Sequence, residues 1–188
     1  MHCYIALLRG INVGGRRVKM DDLREHFTDV GHHHVWTFLG SGNVGFSSEC
    51  DDRAAIARDI EHHLARVLGF EVATFLRTAD DLNRVVAFDP PVPVGWDPGA
   101  ASHYVIFLTD AAPKSVTAAL EEVQSDCDRF VIQGREVHWL TRGKLSESPL
   151  FGTDIERATR GVHTTTRNMS SLRRLATKAT AEAASRIV

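Results

Sequence analysis

Apolar residues recur along the first half of the chain with two spacings, which predict short strands and amphipathic helices. Apolar runs predict strands at 3–8, 35–39, 44–47 and 72–76. Apolar positions three and four residues apart predict one helix around Leu23 and Phe27, which ends at Gly31, and another over 51–68. A short third helix is predicted to begin at Thr78, because Asp81 three residues later completes a capping box.

The same order of elements recurs in the second half of the chain. Apolar runs predict strands at 104–108, 130–132, 137–140 and 162–166. One helix is predicted to begin near Pro113, another to end at Gly161, and a third to close the chain. Turn residues at 41–43 and 133–135 predict one hairpin in each half.

A proline-rich segment separates the two halves. Residues 87–101 contain four of the six prolines of the chain. Proline has no amide donor, so this segment is predicted to be neither a helix nor a central strand, and Trp96 is expected to order it. We therefore predict a first domain at 1–88, a linker at 89–101 and a second domain at 102–188.

The two halves also align residue by residue. The nine residues from Arg77 match those from Arg167 at a constant offset of ninety, and the apolar run from Tyr4 matches the run from Tyr104 at an offset of one hundred. Each half has the order βαββαβ, which is the split βαβ arrangement of ferredoxin-like folds. The predicted fold class is α+β, with two tandem ferredoxin-like repeats, each followed by a short helix. Right-handed crossovers then place the loop after the first strand beside the hairpin turn.

Positive charge is concentrated at the two ends of the chain, although the formal net charge is only −2. Residues 1–19 carry four basic side chains and no acidic one, and residues 160–188 carry six basic side chains against Glu182. The intervening segment carries 12 basic and 23 acidic residues. This pattern argues against a generic polycation and indicates two regions where an anion could bind. The six basic residues near the C-terminus are Arg160, Arg167, Arg173, Arg174, Lys178 and Arg186.

The sequence predicts a cytoplasmic protein with no membrane span. The first apolar run ends at Arg9, too early for the apolar region of a signal peptide. No apolar stretch approaches the roughly 20 residues that a spanning helix needs. The three cysteines are widely spaced and form no CxxC pair, so reduced thiols are expected.

No metal site, cofactor or catalytic constellation is predicted. His32-His33-His34 lies at the start of a strand, where successive side chains face opposite ways, so exposed loop histidines are expected there. His62 and His63 are adjacent on a helix and cannot share one ion. No nucleophile-elbow motif is present, and whether the protein is an enzyme stays an open question at this point.

The strongest candidate site is the glycine-rich loop after the first strand. Glycines let backbone amides turn toward an anion, and arginines pair with phosphate or carboxylate groups. Gly10 and Gly15 have the spacing of a P-loop, but Arg16-Arg17 replaces the required Lys-Ser/Thr pair, so no P-loop is predicted. The alternative is a long connection with solvated arginines. The candidate ligand-binding residues of this loop are Arg9, Gly10, Asn12, Gly14, Gly15 and Arg16.

Residues 40–45 match the G-x-G-x-x-G pattern of dinucleotide-binding loops. That interpretation requires a helix to begin at the motif, whereas strands are predicted on both sides, so a hairpin is predicted instead. Ser41, Gly42 and Asn43 are expected to lie beside the glycine-rich loop and to add hydrogen-bonding groups to the same site.

A second basic patch is predicted at Arg167, Asn168 and Arg173. The functional interpretation is another anion-contacting surface, which would join the first if the two chain ends meet. The alternative is the solvated face of a helix that packs through Leu172 and Leu175.

Several of these motifs together resemble the domain of unknown function 1697 family, which comprises soluble bacterial proteins of about this length. The resemblance implies a duplicated ferredoxin-like α+β fold and no established activity, cofactor or substrate. The family usually has a tryptophan where this chain has Met169, and an apolar residue where it has Gly45, which is expected to loosen that strand. The matching segments are residues 6–15, Met20, Leu23-Arg24, 41–44 and 165–168.

The leading functional hypothesis is a binding protein for an anionic, phosphate-bearing small molecule or nucleotide at the glycine-rich loop. One alternative is nucleic-acid binding through the basic N-terminal loop and the C-terminal helix, although the aromatic motif of RNA-binding ferredoxin-like sheets is missing. Another is a protein interaction module without a small ligand. The oligomeric state is left open.

Overall fold

The computed structural model describes residues 1–97, 99 and 101–185. Its first half contains the predicted strands and helices in the predicted order. Their bounds are β1 His2–Leu8, α1 Met20–Asp29, β2 His33–Phe38, β3 Asn43–Ser48, α2 Arg53–Leu68, β4 Thr74–Arg77 and α3 Ala79–Ala87.

The second half repeats this order and adds one short 3-10 helix. Its elements are β5 Ala101–Leu108, α4 Lys114–Glu122, β6 Asp128–Gln133, β7 Glu136–Arg142, the 3-10 helix Leu145–Glu147, α5 Thr153–Ala158, β8 Thr164–Asn168 and α6 Met169–Ala184. Both last strands begin two residues later than predicted. An apolar run shows which residues are buried, but a strand begins at the first residue that pairs with a neighbouring strand. That residue is Thr74 in β4, which pairs with Leu8, and Thr164 in β8, which pairs with Leu108.

The chain has a mixed α+β fold with two four-stranded antiparallel sheets and, within the described residues, six α-helices. The strand order is β2-β3-β1-β4 in the first sheet and β6-β7-β5-β8 in the second. In each sheet the first strand of the half is central, because it pairs with the third strand on one side and the fourth on the other.

The chain divides into two compact units. The first comprises Met1–Arg84 together with the segment from Arg173 onward, and the second comprises Val85–Leu172. No helix or strand is present among the described residues of 88–99. Trp96 in this segment is buried, and the Arg142 guanidinium lies 5.1 Å from the centre of its ring.

The core of the first unit lies between its sheet and the helices α1 and α2. Tyr4, Ala6 and Leu8 of β1 face this core, as expected from the alternation of side chains along a strand. Ile5 and Leu7 face the opposite way and are also buried, so both faces of this sheet are covered. The helices contribute Leu23, Phe27, Ile56, Ile60 and Leu64 at the predicted helical spacing.

The second unit has its own core and a fully buried carboxylate. Asp128 Oδ1 accepts hydrogen bonds from the Trp139 indole (2.7 Å) and from the Ser148 hydroxyl (2.9 Å), and its Oδ2 accepts one from the Ser125 hydroxyl (3.3 Å). These donors compensate for the loss of hydration that burial of a carboxylate entails. The surrounding apolar residues include Ile106, Leu108, Val116, Leu120, Val137 and Trp139.

Two helices begin with side-chain caps close to their predicted starts. Asp52 caps α2 by accepting hydrogen bonds from the amides of Ala54 (2.9 Å) and Ala55 (3.1 Å). Thr78 and Asp81 form the reciprocal bonds of a capping box at α3, at 2.9 and 3.1 Å.

His32 departs from the sequence prediction. It was expected to be an exposed loop residue, but it is only 6% exposed and stacks on the Phe46 ring with centroids 4.3 Å apart. Burial lowers the pKa of this imidazole below its ordinary value. Only His33 and His34 of the triplet are exposed. The sequence pattern did not predict this burial because it depends on the turn after α1. In that turn the His32 main-chain amide donates to the Phe27 carbonyl, and the imidazole packs against Phe46.

Gly45 also has a different role from the one expected. The strand β3 is buried along its whole length and pairs with β1 and β2, with Gly45 opposite Ile5 and Trp36. The space that a side chain would fill is occupied by the Trp36 indole.

Among the described residues, no helix combines the length and the apolar character that a membrane span requires.

Candidate functional site

The glycine-rich loop connects β1 to α1 and adopts a strongly curved backbone. Gly10, Gly14 and Gly15 have positive φ angles of 75°, 58° and 86°. Asn12 also has a positive φ, of 58°, a conformation that asparagine tolerates better than most residues. A Cβ at Gly14 or Gly15 would have no neighbour within 4 Å, so these two residues present open backbone to the surface.

Asn12 closes the loop on itself and ties it to the β2–β3 turn. Its side-chain oxygen accepts a hydrogen bond from the Val18 amide (2.6 Å). Its side-chain nitrogen donates to the carbonyls of Val18 (3.1 Å) and Gly40 (2.8 Å). These three bonds show that Asn12 shapes the loop.

The predicted proximity of the loop and the hairpin turn is observed. The Leu8 amide donates to the Gly42 carbonyl at 2.8 Å, at the point where the loop leaves β1. A Cβ at Gly42, whose φ is +73°, would lie 3.1 Å from the Cβ atoms of both Leu8 and Ile11. Gly42 therefore permits the close approach of the two segments. Asn43 is buried and donates to the Phe38 carbonyl and the Ser41 hydroxyl, so it stabilises the turn itself.

Four basic side chains of this segment reach solvent. Arg9, Arg16, Arg17 and Lys19 are exposed, and none forms an ion pair with a carboxylate of the described residues. The Arg16 guanidinium lies 4.2 Å from the centre of the Phe70 ring, a cation–π contact that holds its position. The segment is thus a concentration of positive charge without acidic partners in the described structure.

Three of these cations line one surface pocket of about 520 Å3. The pocket is lined by Asn12, Gly15, Arg16, Arg17, Val18 and Lys19. Arg9, Ser41 and Asn43 are not among its lining residues, so the structure brings the hairpin to the loop without bringing its polar groups into this pocket. Guanidinium and ammonium groups beside open backbone are suited to anionic oxygen atoms.

The second predicted patch is divided between interior and surface. Arg167 is 9% exposed and donates to the Thr165 hydroxyl (2.8 Å) and the Thr166 carbonyl (3.0 Å), and burial lowers the pKa of its guanidinium to about 10. Asn168 accepts a hydrogen bond from the Ser170 amide (2.8 Å), as a cap at the start of α6. Arg173 is exposed. Arg186 lies outside the described residues.

Two further basic residues of α6 pack on aromatic rings of β2. The Arg174 guanidinium lies 5.5 Å from the Phe38 ring centre, and the Lys178 ammonium lies 4.9 Å from that of Trp36. Lys178 also pairs with Glu182 at 3.0 Å. These contacts stabilise the first unit, and the ion pair with Glu182 compensates the charge of Lys178.

Sequence reasoning missed two residues of the loop site. Lys19 was counted as a basic residue but not assigned to the site, and Phe70 was not considered because it follows the end of α2, remote in sequence. The signal for Lys19 was its position directly before the first helical residue, Met20. No local pattern indicated that Phe70 would lie under Arg16.

Comparisons with known proteins identify a family without an assigned function. A family model described as "Protein of unknown function (DUF1697)" matches residues 1–138. The chain is similar to a solved structure described as that of a conserved bacterial protein from Streptococcus pneumoniae, with a TM-score of 0.72 and 22% identity. That match covers 96% of this chain and 99% of the other, and it supports the fold alone. A search of curated proteins found no match.

Proposed function

The chain belongs to the DUF1697 family of proteins of unknown function, and we propose that it binds a phosphate-bearing small molecule or nucleotide at the glycine-rich loop. The observation that carries the proposal is the pocket lined by Arg16, Arg17 and Lys19, none of which has a carboxylate partner in the described part of the chain. Three uncompensated cations around one depression attract an anion, whose binding would relieve their mutual repulsion.

The residues of the loop divide into contacting and positioning groups. Arg16 is the best placed to contact a phosphate, because its stacking on Phe70 fixes the guanidinium before a ligand arrives. Arg17 and Lys19 add charge, and the open backbone at Gly15 offers an amide donor. Arg9 is exposed at the start of the loop and contributes to the attractive field.

Asn12, Gly42 and Asn43 act by holding the loop in shape. Asn12 closes it, Gly42 lets the hairpin turn approach, and Asn43 stabilises the turn. Rigid support of this kind lowers the entropic cost of binding. Within the predicted second patch, Arg167 and Asn168 make local hydrogen bonds and Arg173 is exposed.

The test is a titration of the full chain with pyrophosphate and ATP, followed by thermal shift and calorimetry. A ligand present at 100 times its dissociation constant adds about 2.7 kcal/mol to the free energy of unfolding. The variant Arg16→Gln/Arg17→Gln should lose at least tenfold in affinity. The matched control Arg58→Gln/Arg160→Gln removes the same charge from exposed positions elsewhere and should bind like the wild type.

Equal losses in the two double variants would mean that only net charge matters and would overturn the assignment of the site. Absence of any shift with both ligands would overturn the proposed function. Single-stranded RNA serves as a further probe, because nucleic-acid binding predicts a steep decline of affinity with salt. That alternative is weakened at Lys178, whose ammonium pairs with the Glu182 carboxylate.

We further infer that the two halves are repeats of one ferredoxin-like unit, joined by a linker at 89–101. Support comes from the matching orders β2-β3-β1-β4 and β6-β7-β5-β8 and from the aligned Arg77 and Arg167, which are both buried on the last strand. Limited proteolysis with a protease of broad specificity should cut first within the linker, which contains no trypsin site. First cuts inside either half would contradict these boundaries.

Three free cysteines support a cytoplasmic setting.

A further inference from the structure

Two helices of the first unit bring three metal-ligating side chains together. His26 and Asp29 lie one turn apart on α1, and His63 lies on α2, which packs beside it. Each residue offers one ligand atom, and these atoms all lie within 4.8 Å of one another. The two imidazole rings are 5.4 Å apart between centroids and inclined at 58°.

Two nitrogens of this cluster are buried without a hydrogen-bond partner among the described residues, His26 Nδ1 and His63 Nε2. An unpaired buried polar atom costs about 1–3 kcal/mol. A metal cation between the rings would remove that cost, because an unprotonated imidazole nitrogen binds a metal ion through its lone pair.

We propose that His26, Asp29 and His63 form a binding site for a divalent transition-metal ion of the zinc type. Two imidazoles and one carboxylate are a ligand set suited to such an ion, with the remaining position left to water. Ligand atoms of a tetrahedral zinc site lie about 3.3 Å apart, so ion binding requires the three side chains to move closer than the 4.8 Å limit observed here. Asp29 is exposed and keeps the site open to solvent.

The surroundings of His63 add one competitor for its ring. Arg66 lies 3.2 Å from His63 Nδ1, and since a guanidinium can only donate, this contact favours the tautomer with a proton on Nε2. Binding through Nε2 therefore requires that Arg66 release the ring, which its exposed side chain permits.

The site is tested on the tag-free, metal-stripped full chain with Co²⁺ as the spectroscopic probe and Zn²⁺ by calorimetry at pH 7.5. The wild type should bind one equivalent, with visible d–d absorption. His26→Ala and His63→Ala should each weaken binding at least tenfold, about 1.4 kcal/mol, and Asp29→Asn should weaken it as well. His62→Ala is the matched control, since it removes an exposed histidine from the same helix, and it should bind like the wild type.

Arg66→Gln should bind at least as tightly as the wild type, because the competing donor is gone. A sulfur-to-cobalt charge-transfer band in the near ultraviolet would assign the ion to cysteine and overturn the proposal. The same holds if His62→Ala loses as much affinity as His63→Ala, or if the wild type binds no Co²⁺.

A second measurement does not depend on the folding of any variant. In wild-type protein labelled with ¹⁵N at the histidine rings, Zn²⁺ should shift the ring nitrogens of two of the ten histidines. Their assignment to His26 and His63 supports the site. Shifts confined to other histidines, or no shifts at all, overturn it.

Discussion

The indole ring of Trp36 lies over Gly45, its cross-strand partner on β3. A Cβ at Gly45 would lie 2.0 Å from Trp36 Cε2 and 2.1 Å from Cζ2, well inside van der Waals contact. The Lys178 ammonium lies 4.9 Å from the centre of the same ring. The Trp36 indole can therefore take this position only because residue 45 is a glycine. The two residues pack against each other at the edge of the first sheet.

We expect Gly45→Ala to destabilise the protein by about 1–3 kcal/mol, the usual cost of adding atoms to a packed site. The sign of this change in the free energy of unfolding is informative, because alanine in a strand interior is otherwise favoured over glycine by roughly 0.5–1 kcal/mol. Urea denaturation followed by far-ultraviolet circular dichroism measures the change.

The control is a double-mutant cycle with Trp36→Ala. Once the indole is gone, Gly45→Ala should cost little, which gives a coupling energy of about 0.5–3 kcal/mol. Additive effects of the two substitutions would show that the ring and the glycine do not depend on each other.

Replacement of Asn12 by alanine should open the glycine-rich loop. The substitution removes three hydrogen bonds and leaves a non-glycine residue at φ 58°, for a combined cost of about 2–3 kcal/mol. Trypsin should then cleave faster after Arg16 and Arg17 in the native state, as measured by mass spectrometry of early fragments. Asn12→Gly keeps the backbone relaxed and should lie between alanine and wild type. Cleavage no faster than in wild type would mean that other contacts hold the loop.

His138 should make the protein less stable in acid. Burial, together with the nearby His103, lowers the pKa of His138 to about 4 in the folded state, against about 6.5 when unfolded. The unfolded chain therefore binds the extra proton first as pH falls. The free energy of unfolding decreases from about pH 6.5 and levels off below about pH 4, with a total loss of about 3 kcal/mol from this group.

The measurement is urea denaturation of wild type and His138→Gln at pH 7 and pH 5. The variant should show the smaller difference between the two pH values. His32 and His63, whose pKa values are lowered by burial, contribute in the same direction and remain in both proteins. Equal pH dependence in the two proteins would exclude His138 as a source of acid sensitivity.

Asp128→Ala should be among the most destabilising single changes in the second unit, at about 3–5 kcal/mol. It leaves the buried donors of Trp139 and Ser148, and the partly buried hydroxyl of Ser125, without their acceptor. Asp128→Asn retains one acceptor oxygen and should cost about 1–2 kcal/mol. The midpoint of urea unfolding distinguishes them, with the exposed Asp126→Ala as control. A loss for Asp126→Ala as large as that for Asp128→Ala would contradict this role.

Local features of the fold were predictable because they depend on residues close together in sequence. The cap at Asp52, the capping box of Thr78 and Asp81 and the β2–β3 hairpin each involve atoms separated by a few residues. The loop site was predictable in part for the same reason, since Gly10, Gly15 and Arg16 lie in one short segment. Its pocket nevertheless excludes Ser41 and Asn43, because their polar groups serve the turn.

Other features arise only when distant segments pack together. The sequence by itself determined the order of strands and helices, the mixed α+β class and the concentration of basic residues after β1. The tertiary structure decided that Trp36 covers Gly45, that Phe70 supports Arg16, that Arg167 is buried and that His26 meets His63. Periodicity shows which face of an element is buried, but contacts between elements depend on how whole surfaces fit, and no local pattern encodes that fit.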